Sequence, residues 1–205
     1  MARKPAGRSD SLRAAIAQEA ARLMVESGIQ DFLLAKRKAA ERYGVADGTA
    51  LPRNTEIEAA LVAYQRLFGG GLHAGNLRQL REAAVQAMQW LAQFQPRLVG
   101  PVLAGTATAN SDVQLHLFCD RPEAVHLMLL DRHLPFEVVE RRLRWQSDRQ
   151  VAVPGLRFDV GDVTVEALLL GVDDIRQSPV SPVDGKPMRR ADLRELQALL
   201  DDPAA

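Results

Sequence analysis

The chain of 205 residues has one cysteine, no net charge and no long apolar run, and each of these absences excludes a class of protein. A single cysteine, Cys119, cannot build an internal disulfide framework or a cysteine-based zinc cluster, and it is typical of a reducing compartment. No window approaches the roughly 20 apolar residues of a membrane-spanning helix, and the residues after Met1 lack the apolar stretch of a secretory signal. We therefore expect a cytoplasmic protein that does not use a membrane as a partner.

The charged side chains are evenly divided, with 26 basic and 26 acidic residues. Bulk charge therefore does not hold the molecule on nucleic acid or on a lipid surface. Arginine outnumbers lysine 22 to 4, a bias that we attribute to a bacterial genome rich in G and C. The one clear basic cluster is Lys36, Arg37, Lys38 and Arg42, which we interpret as the solvated face of a helix rather than as a nucleic-acid contact.

Hydrophobic spacing divides the chain into a helical first part and a mixed second part. Apolar residues recur at three- or four-residue steps in the first half, where Gly69–Gly71 is predicted to end one helix and Asn76 to begin the next. From Pro96 onward, short runs rich in Val and Leu predict strands, with RQVAV (149–153) and LRFDV (156–160) as separate ones. We expect an α+β fold with an N-terminal helical region at 1–71 and a mixed sheet with flanking helices at 72–205.

One segment, residues 98–118, combines two glycine turns with an acidic strand. In its sequence, LVGPVLAGTATANSDVQLHLF, a predicted strand ends at Gly100, Gly105 marks a second glycine turn, and Ser111 and Asp112 open an alternating strand. A glycine at a strand-to-helix turn lets backbone N–H groups approach a phosphate closely. Residues two apart on a strand share a face, so acidic residues at this spacing can hold a divalent cation together.

This pattern resembles the nucleotidyltransferase superfamily, of the polymerase-beta-like fold, over about residues 85–170. In that family a strand ends in Gly-Ser, a short helix leads to a second glycine, and a Ser-Asp-apolar-Asp strand follows. The resemblance implies a nucleoside triphosphate bound with Mg²⁺, and transfer of a nucleotidyl group to a nucleic acid or protein acceptor. The residues that it implies are Gly100, Gly105, Thr106 and Ser111 for the nucleotide, and Asp112, Gln114 and Glu166 for catalysis, with Asp112 and Glu166 holding the metal.

Two positions depart from the pattern of that family. Gln114 stands where the family has its second aspartate, and Pro101 stands where a serine follows the first glycine. Glutamine offers an oxygen without charge, and proline has no N–H to donate to a phosphate. Because close charges interact by about 4 kcal/mol at an effective dielectric of ~20, loss of one carboxylate weakens a two-cation site substantially. We therefore do not expect ordinary two-metal catalysis, and a catalytically inactive binding or regulatory module of the same fold is the alternative.

The third carboxylate of the family is assigned to Glu166 by the same resemblance. Glu166 lies on a strand that follows LRFDV across the turn Gly161-Asp162, and in the family such a hairpin brings the last acid beside the pair. Asp159 and Glu137 are alternatives between which the sequence does not decide.

Two further features receive ordinary structural interpretations. His116 follows Gln114 on the same strand face, where we expect a packed, hydrogen-bonded histidine rather than a ligand or a base. The segment 181–193 carries Lys186, Arg189 and Arg190, which we expect to project positive charge from a surface loop before a helix that is capped near Asp192.

Overall fold

The computed structural model describes residues 6–45, 51–146 and 149–201, and in them the chain has the predicted α+β fold. The helices are α1 (Ala6–Glu26), α2 (Phe32–Arg42), α3 (Asn54–Tyr64), α4 (Gly70–Trp90), α5 (Gly100–Ala104), α6 (Pro122–Asp131) and α7 (Leu193–Asp201). The strands are β1 (Arg97–Val99), β2 (Val113–Phe118), β3 (Phe136–Arg144), β4 (Gln150–Val160) and β5 (Val163–Leu170). Within these ranges, no helix combines the length and the apolar character that crossing a membrane requires.

The described residues divide into two compact units. The first unit contains the residues up to Ala74 together with Thr108–Ser111 and Pro182–Asp184. The second unit contains Gly75–Ala107, Asp112–Ser181 and the residues from Gly185 onward.

The first unit is helical, and its core is built from small side chains. Helix α1 packs against α2 and α3 through a core cluster rich in alanine, in which Ile16 and Ile57 are fully buried. Asp31 caps α2 by accepting a hydrogen bond from Leu34 N at 2.7 Å, as its place before the apolar run predicts. In the basic cluster of α2, Lys36 donates to the Pro52 carbonyl at 2.9 Å and Arg42 is ion-paired with Glu19, so these two cations already have protein partners.

The second unit is organised around a five-stranded mixed sheet in the order β1-β2-β5-β4-β3. Strand β2 runs parallel to β5, and the remaining neighbours are antiparallel. The parallel pair is possible because α6, β3 and β4 intervene in the chain and return it to the same end of the sheet. The central strands β2 and β5 are the most buried, which is why their sequences are the most apolar.

The two faces of the sheet differ in what covers them. One face packs against helices α4 to α7 and is apolar throughout its central strands. The side chains that it contributes to the core are Val113, Leu115, Leu117, Leu156, Phe158, Val160, Val163, Val165, Ala167 and Leu169. The opposite face carries a small apolar cluster around Trp145 at one end and polar side chains at the other. We call this second face the polar face, because it holds the charged residues of the predicted site.

The glycine run at 69–71 does not separate two helices by a loop, and the predicted helix start at Asn76 is wrong. Helix α3 passes into a π-helical turn at Gln65–Gly69, and α4 begins at once with Gly70. Gly70 has φ 45° and ψ −136°, a conformation that glycine adopts without the penalty of a Cβ. One such residue redirects the chain, so no intervening loop is needed.

The segments 149–153 and 156–160 are not separate strands, because β4 continues through Pro154 and Gly155. Pro154 pairs with Glu140 of β3, and the pairing of β4 with β5 begins only at Gly155. The N–H that proline lacks is therefore not needed for a hydrogen bond to β5. Gly155 is needed for close approach, because a Cβ there would lie 2.7 Å from Cδ2 of Leu168 and 3.0 Å from the Ala167 carbonyl oxygen.

Candidate functional site

The glycine turn of the predicted site has the local structure that its sequence indicates. Val99 ends β1 in an extended conformation, Gly100 turns the chain with φ 72°, and α5 ends at Gly105 with φ 79°. Gly105 closes the helix by donating its N–H to the Pro101 carbonyl. Pro101 lies in the first turn of α5, where a backbone N–H has no helical partner, so the proline leaves no helical hydrogen bond unmade.

Gln114 of β2 occupies the space directly beside Gly100. A Cβ built on Gly100 would collide with Oε1 of Gln114 and would lie 3.0 Å from its Cδ. The positive φ favours glycine at position 100, and any larger residue there would also have to displace the end of the Gln114 side chain.

A row of polar residues crosses the polar face from β2 to β3. Gln114 is the register partner of Glu166 on the parallel strand β5. Glu166 is in turn opposite Arg157 of β4, and Arg157 is opposite Glu137 of β3. Register partners have their side chains on the same face, so the four groups stand side by side.

Glu166 is held by a bidentate ion pair with Arg141 of β3. Nε of Arg141 donates to Oε1 at 2.9 Å and Nη2 donates to Oε2 at 2.5 Å. Both carboxylate oxygens are thus engaged by one planar guanidinium, the strongest geometry available to such a pair. Burial beneath Arg141 leaves the Glu166 side chain only 10% exposed.

Asp112, immediately before β2, is paired with Arg157. Nη2 of Arg157 lies 3.2 Å from Oδ2 and 3.4 Å from Oδ1, a longer and less directed contact than that at Glu166. Burial raises the pKa of Asp112, Arg157 opposes that rise, and the nearby charge of Glu166 adds to it. The ion pair therefore offsets the burial of this carboxylate only in part.

The carboxylates lie beneath the arginines rather than open to solvent. The side chains of Arg141 and Arg157 are 48% and 42% exposed, whereas those of Glu166 and Asp112 are 10% and 19% exposed. Within residues 6–45, 51–146 and 149–201, no three His, Cys, Asp or Glu side chains form a group that could hold a metal ion. Two carboxylates already paired with arginine, beside a neutral Gln114, do not fit a two-magnesium site.

The remaining predicted nucleotide contacts, Thr106 and Ser111, each take part in a local turn. Thr106 is buried after α5, where its N–H donates to the Pro101 carbonyl at 3.0 Å. Ser111 belongs to the first unit and closes a turn in which its Oγ accepts from Thr108 N at 2.9 Å. The second unit thus contains six of the predicted site residues, Gly100, Gly105, Thr106, Asp112, Gln114 and Glu166, and Ser111 is assigned to the first unit.

The two alternative carboxylates also lie on the polar face, but farther from β2. Asp159 is two residues beyond Arg157 on β4 and accepts a hydrogen bond from Thr164 Oγ1 at 2.9 Å. Glu137 lies on β3, the last strand of the sheet. Of the three acids, Glu166 is the one on the strand that neighbours β2.

His116 is the packed histidine that the sequence leads us to expect. It is 1% exposed, and its Nδ1 accepts a hydrogen bond from Nε of Arg190 at 3.2 Å. Burial lowers the pKa of His116 to about 3, and the charge of Arg190 acts in the same direction, so the ring is neutral. The expectation that Arg190 projects from a surface loop is wrong, because its Nη1 also donates to the Asp174 carbonyl at 2.8 Å and its guanidinium lies over Phe118.

Sequence reasoning missed Arg141 and Arg157, the two residues that define the state of the site. For Arg157 the sequence predicts only the strand LRFDV that contains it, and for Arg141 it indicates no partner. One signal was available: Arg157 and Asp159 are two apart on a strand, as are Asp112 and Gln114, so each strand presents polar residues to one face. Their contacts with each other required knowledge of the strand order.

Comparisons with known proteins identify no relative of this chain. No family model matches it, no curated protein matches it, and no solved structure matches it.

Proposed function

We propose that this chain is a catalytically inactive binding module with a nucleotidyltransferase-like fold. The observation that carries the proposal is that both candidate metal ligands are ion-paired with arginine, Glu166 with Arg141 and Asp112 with Arg157. The arrangement of β1, α5 and β2, with Glu166 on the parallel neighbour of β2, supports the likeness of fold. The ion pairs support the absence of nucleotidyl transfer.

The physical reason lies in the balance of charge. Two carboxylates and two guanidinium groups cancel, so the site presents no net negative charge to a divalent cation. A cation entering it would have to displace an arginine or lie close to one, at a cost of about 4 kcal/mol per close like-charge pair at an effective dielectric of ~20. Gln114 cannot supply the missing charge, and its amide is packed against Gly100.

Calorimetric titration of the full chain with MgCl₂, with ATP and with MgATP tests this proposal. We expect no metal-dependent binding and no release of pyrophosphate. A triple variant, Arg141→Gln with Arg157→Gln and Gln114→Asp, removes the two cations and restores the acid of the family pattern, so we expect Mg²⁺ binding to appear in it. Arg78→Gln is the matched control, because Arg78 forms an exposed pair with Glu82 on α4.

The proposal is overturned if the unaltered chain binds MgATP and loses that binding on Asp112→Asn. It is also overturned if the chain releases pyrophosphate from a nucleoside triphosphate at a rate that Asp112→Asn abolishes.

Magnesium-dependent binding of a nucleoside triphosphate is the second candidate function, and one observation favours it. Burial raises the pKa of Asp112, and the charge of Glu166 raises it further in spite of Arg157. A divalent cation between the two carboxylates would relieve both effects, provided that the arginines moved aside. Under this alternative Asp112 and Glu166 hold the metal, and the calorimetric titration with and without Mg²⁺ distinguishes the two functions.

A further inference from the structure

The outer edge of β3 is an open edge of the sheet. β3 is the last strand in the order, and it pairs only with β4 among the strands that the structure describes. At the far end of this edge, Val180 N donates a hydrogen bond to the Arg144 carbonyl at 2.6 Å. From Phe136 to Arg142 the edge is a regular extended strand, and such edges are templates for pairing with another strand.

The bond from Val180 reveals which residues of β3 point their backbone groups outward. In an antiparallel ladder both groups of a residue point to the same side, and successive residues alternate. Because the Arg144 carbonyl points away from β4, the N–H and C=O groups of Phe136, Val138, Glu140 and Arg142 do so as well. The register with β4 is unbroken along the strand. The β4 partner of Glu140 is Pro154, which has no N–H. This agrees with the assignment, because the backbone groups of Glu140 point away from β4 and need no donor there.

Apolar side chains flank this edge on the helix-covered side. Val138 is 67% exposed, which is unusual for a valine in a strand. Phe136, two residues before it, stacks on His126 of α6 with ring centroids 5.5 Å apart, so α6 lies alongside the start of β3. Leu127 and Leu130 of the same helix are also exposed. A partner strand added at this edge would cover apolar surface as well as satisfy backbone groups.

We propose that two copies of this chain associate through their β3 strands, paired antiparallel about a two-fold axis at Val139. The two sheets then become one continuous ten-stranded sheet. In this register, residues whose numbers add to 278 stand opposite each other, so Glu137 faces Arg141 of the partner subunit and Phe136 faces Arg142 of the partner subunit. The outward backbone N–H and C=O groups then form hydrogen bonds across the axis; they belong to Phe136, Val138, Glu140 and Arg142.

Charge favours this register over those whose axis lies at Glu140 or at Arg141. An axis at Glu140 would set that glutamate opposite its own copy, and like charges directly opposed are destabilising. An axis at Arg141 would oppose two arginines, and it would direct the pairing to the Arg144 carbonyl, which already accepts from Val180. The axis at Val139 opposes glutamate with arginine twice, on the non-hydrogen-bonded positions where cross-strand side chains are closest. The charged residues of this edge, which repel foreign strands, thus complement a second copy of the same chain.

The association places a residue of the second copy beside the candidate site. Arg141 already holds Glu166 on the polar face. In the dimer, Glu137 of the partner subunit approaches the same guanidinium, so Arg141 lies between two carboxylates. The inference goes beyond the proposed function and holds whether or not the site takes a metal, because it depends only on the edge of β3 and the charges along it.

Sedimentation equilibrium of the full chain with Val138→Pro tests the proposal. Proline removes an N–H that points away from β4, so the fold of the subunit is kept while the pairing at the edge is lost. We expect the unaltered chain to dimerise and the variant to bind its copy about a hundredfold more weakly. Val138→Thr, which keeps the N–H and a β-branched side chain, is the matched control and should dimerise normally.

A charge variant keeps the proposal falsifiable if the proline variant does not fold. Glu137→Lys sets a lysine opposite Arg141 of the partner subunit, so we expect dimerisation to be about tenfold weaker. This weakening should be smaller at high salt, which screens the repulsion. Asp162→Lys makes the same charge change at the exposed turn between β4 and β5 and should have no such effect. A chain that is monomeric throughout, or a dimer that both Val138→Pro and Glu137→Lys leave intact, overturns the proposal.

Discussion

The two faces of the sheet are built from alternate residues of the same strands, yet they are stabilised in different ways. On β2, Leu115 and Leu117 point to the helix-covered face and pack into a continuous apolar core. Gln114 and His116, their immediate neighbours, point to the polar face. The covered face is stabilised by burial of apolar area, which is not directional. The polar face depends on specific partners.

Three polar side chains on the polar face have arginine partners. Glu166 is held by Arg141, Asp112 by Arg157, and His116 by Arg190. A buried polar group without a partner costs the full penalty of its desolvation, so these arginines stabilise the face on which they lie. The comparison teaches that a row of charges on a sheet face can serve stability where a resemblance would assign it to catalysis.

Truncation on the covered face should have the largest effect. Leu115→Ala empties a fully buried site in the middle of β2, and we expect a loss of about 2 to 5 kcal/mol in the free energy of unfolding. Chemical denaturation monitored by circular dichroism measures it. Gln114→Ala, one residue away on the other face, is the control and should cost less. An equal loss from the two substitutions would break the distinction between the faces.

The second effect concerns the pH dependence that His116 on the polar face contributes to stability. The pKa of His116 is about 3 in the folded chain, because burial disfavours its charged form, whereas an unfolded histidine titrates near 6.5. The unfolded chain therefore binds a proton first as the pH falls. Stability is fully present above pH ~6.5 and declines toward pH ~3, by up to about 1.4 kcal/mol per pH unit from this residue.

His116→Gln should flatten that decline, because glutamine offers an acceptor to Arg190 without titrating. Denaturation at about pH 7 and about pH 5 gives the difference. His133→Asn is the matched control, since His133 is exposed and has φ 55°, a conformation that asparagine tolerates. A pH dependence that is the same in the parent chain and in His116→Gln would remove His116 as its source.

The smallest effects should separate the two ion pairs of the candidate site. Arg141→Gln breaks a bidentate pair to a carboxylate that is 10% exposed, and we expect a loss of about 1 to 2 kcal/mol in the free energy of unfolding. Arg157→Gln breaks a longer, single-ended pair and should cost about 0.5 kcal/mol. Arg78→Gln, which disrupts an exposed pair on α4, serves as the baseline. If Arg157→Gln costs more than Arg141→Gln, the ranking drawn from geometry is wrong.

Much of the fold was predictable, because its signals are local. The change of hydrophobic period near Pro96 predicts helices before it and strands after it, and the structure confirms the α+β fold. The predictions were wrong where a proline or glycine, which usually ends a strand or helix, is accommodated by its neighbours in the structure. Pro154 and Gly155 lie inside β4 because of what pairs beside them, and Gly70 starts a helix because one residue with positive φ redirects the chain.

The candidate site was predictable only in part. Gly100, Asp112 and Gln114 are within fifteen residues of one another, so their spacing alone indicates a turn followed by a polar strand. Arg141 and Arg157 reach their partners across sequence separations of 25 and 45 residues. Such contacts exist only once β3 and β4 have taken their places in the sheet.

Alternation along β2 and β5 was determined by the sequence, because the side chains of a strand point to opposite faces with a period of two. That fact by itself separates Leu115 from Gln114 and His116. Tertiary structure alone decided what each polar residue meets, since the order β1-β2-β5-β4-β3 is set by long-range pairing. It put Glu166 beside Gln114 and brought Arg141 over Glu166. The chemistry of this face follows from those neighbours, because each carboxylate has its charge balanced by a guanidinium.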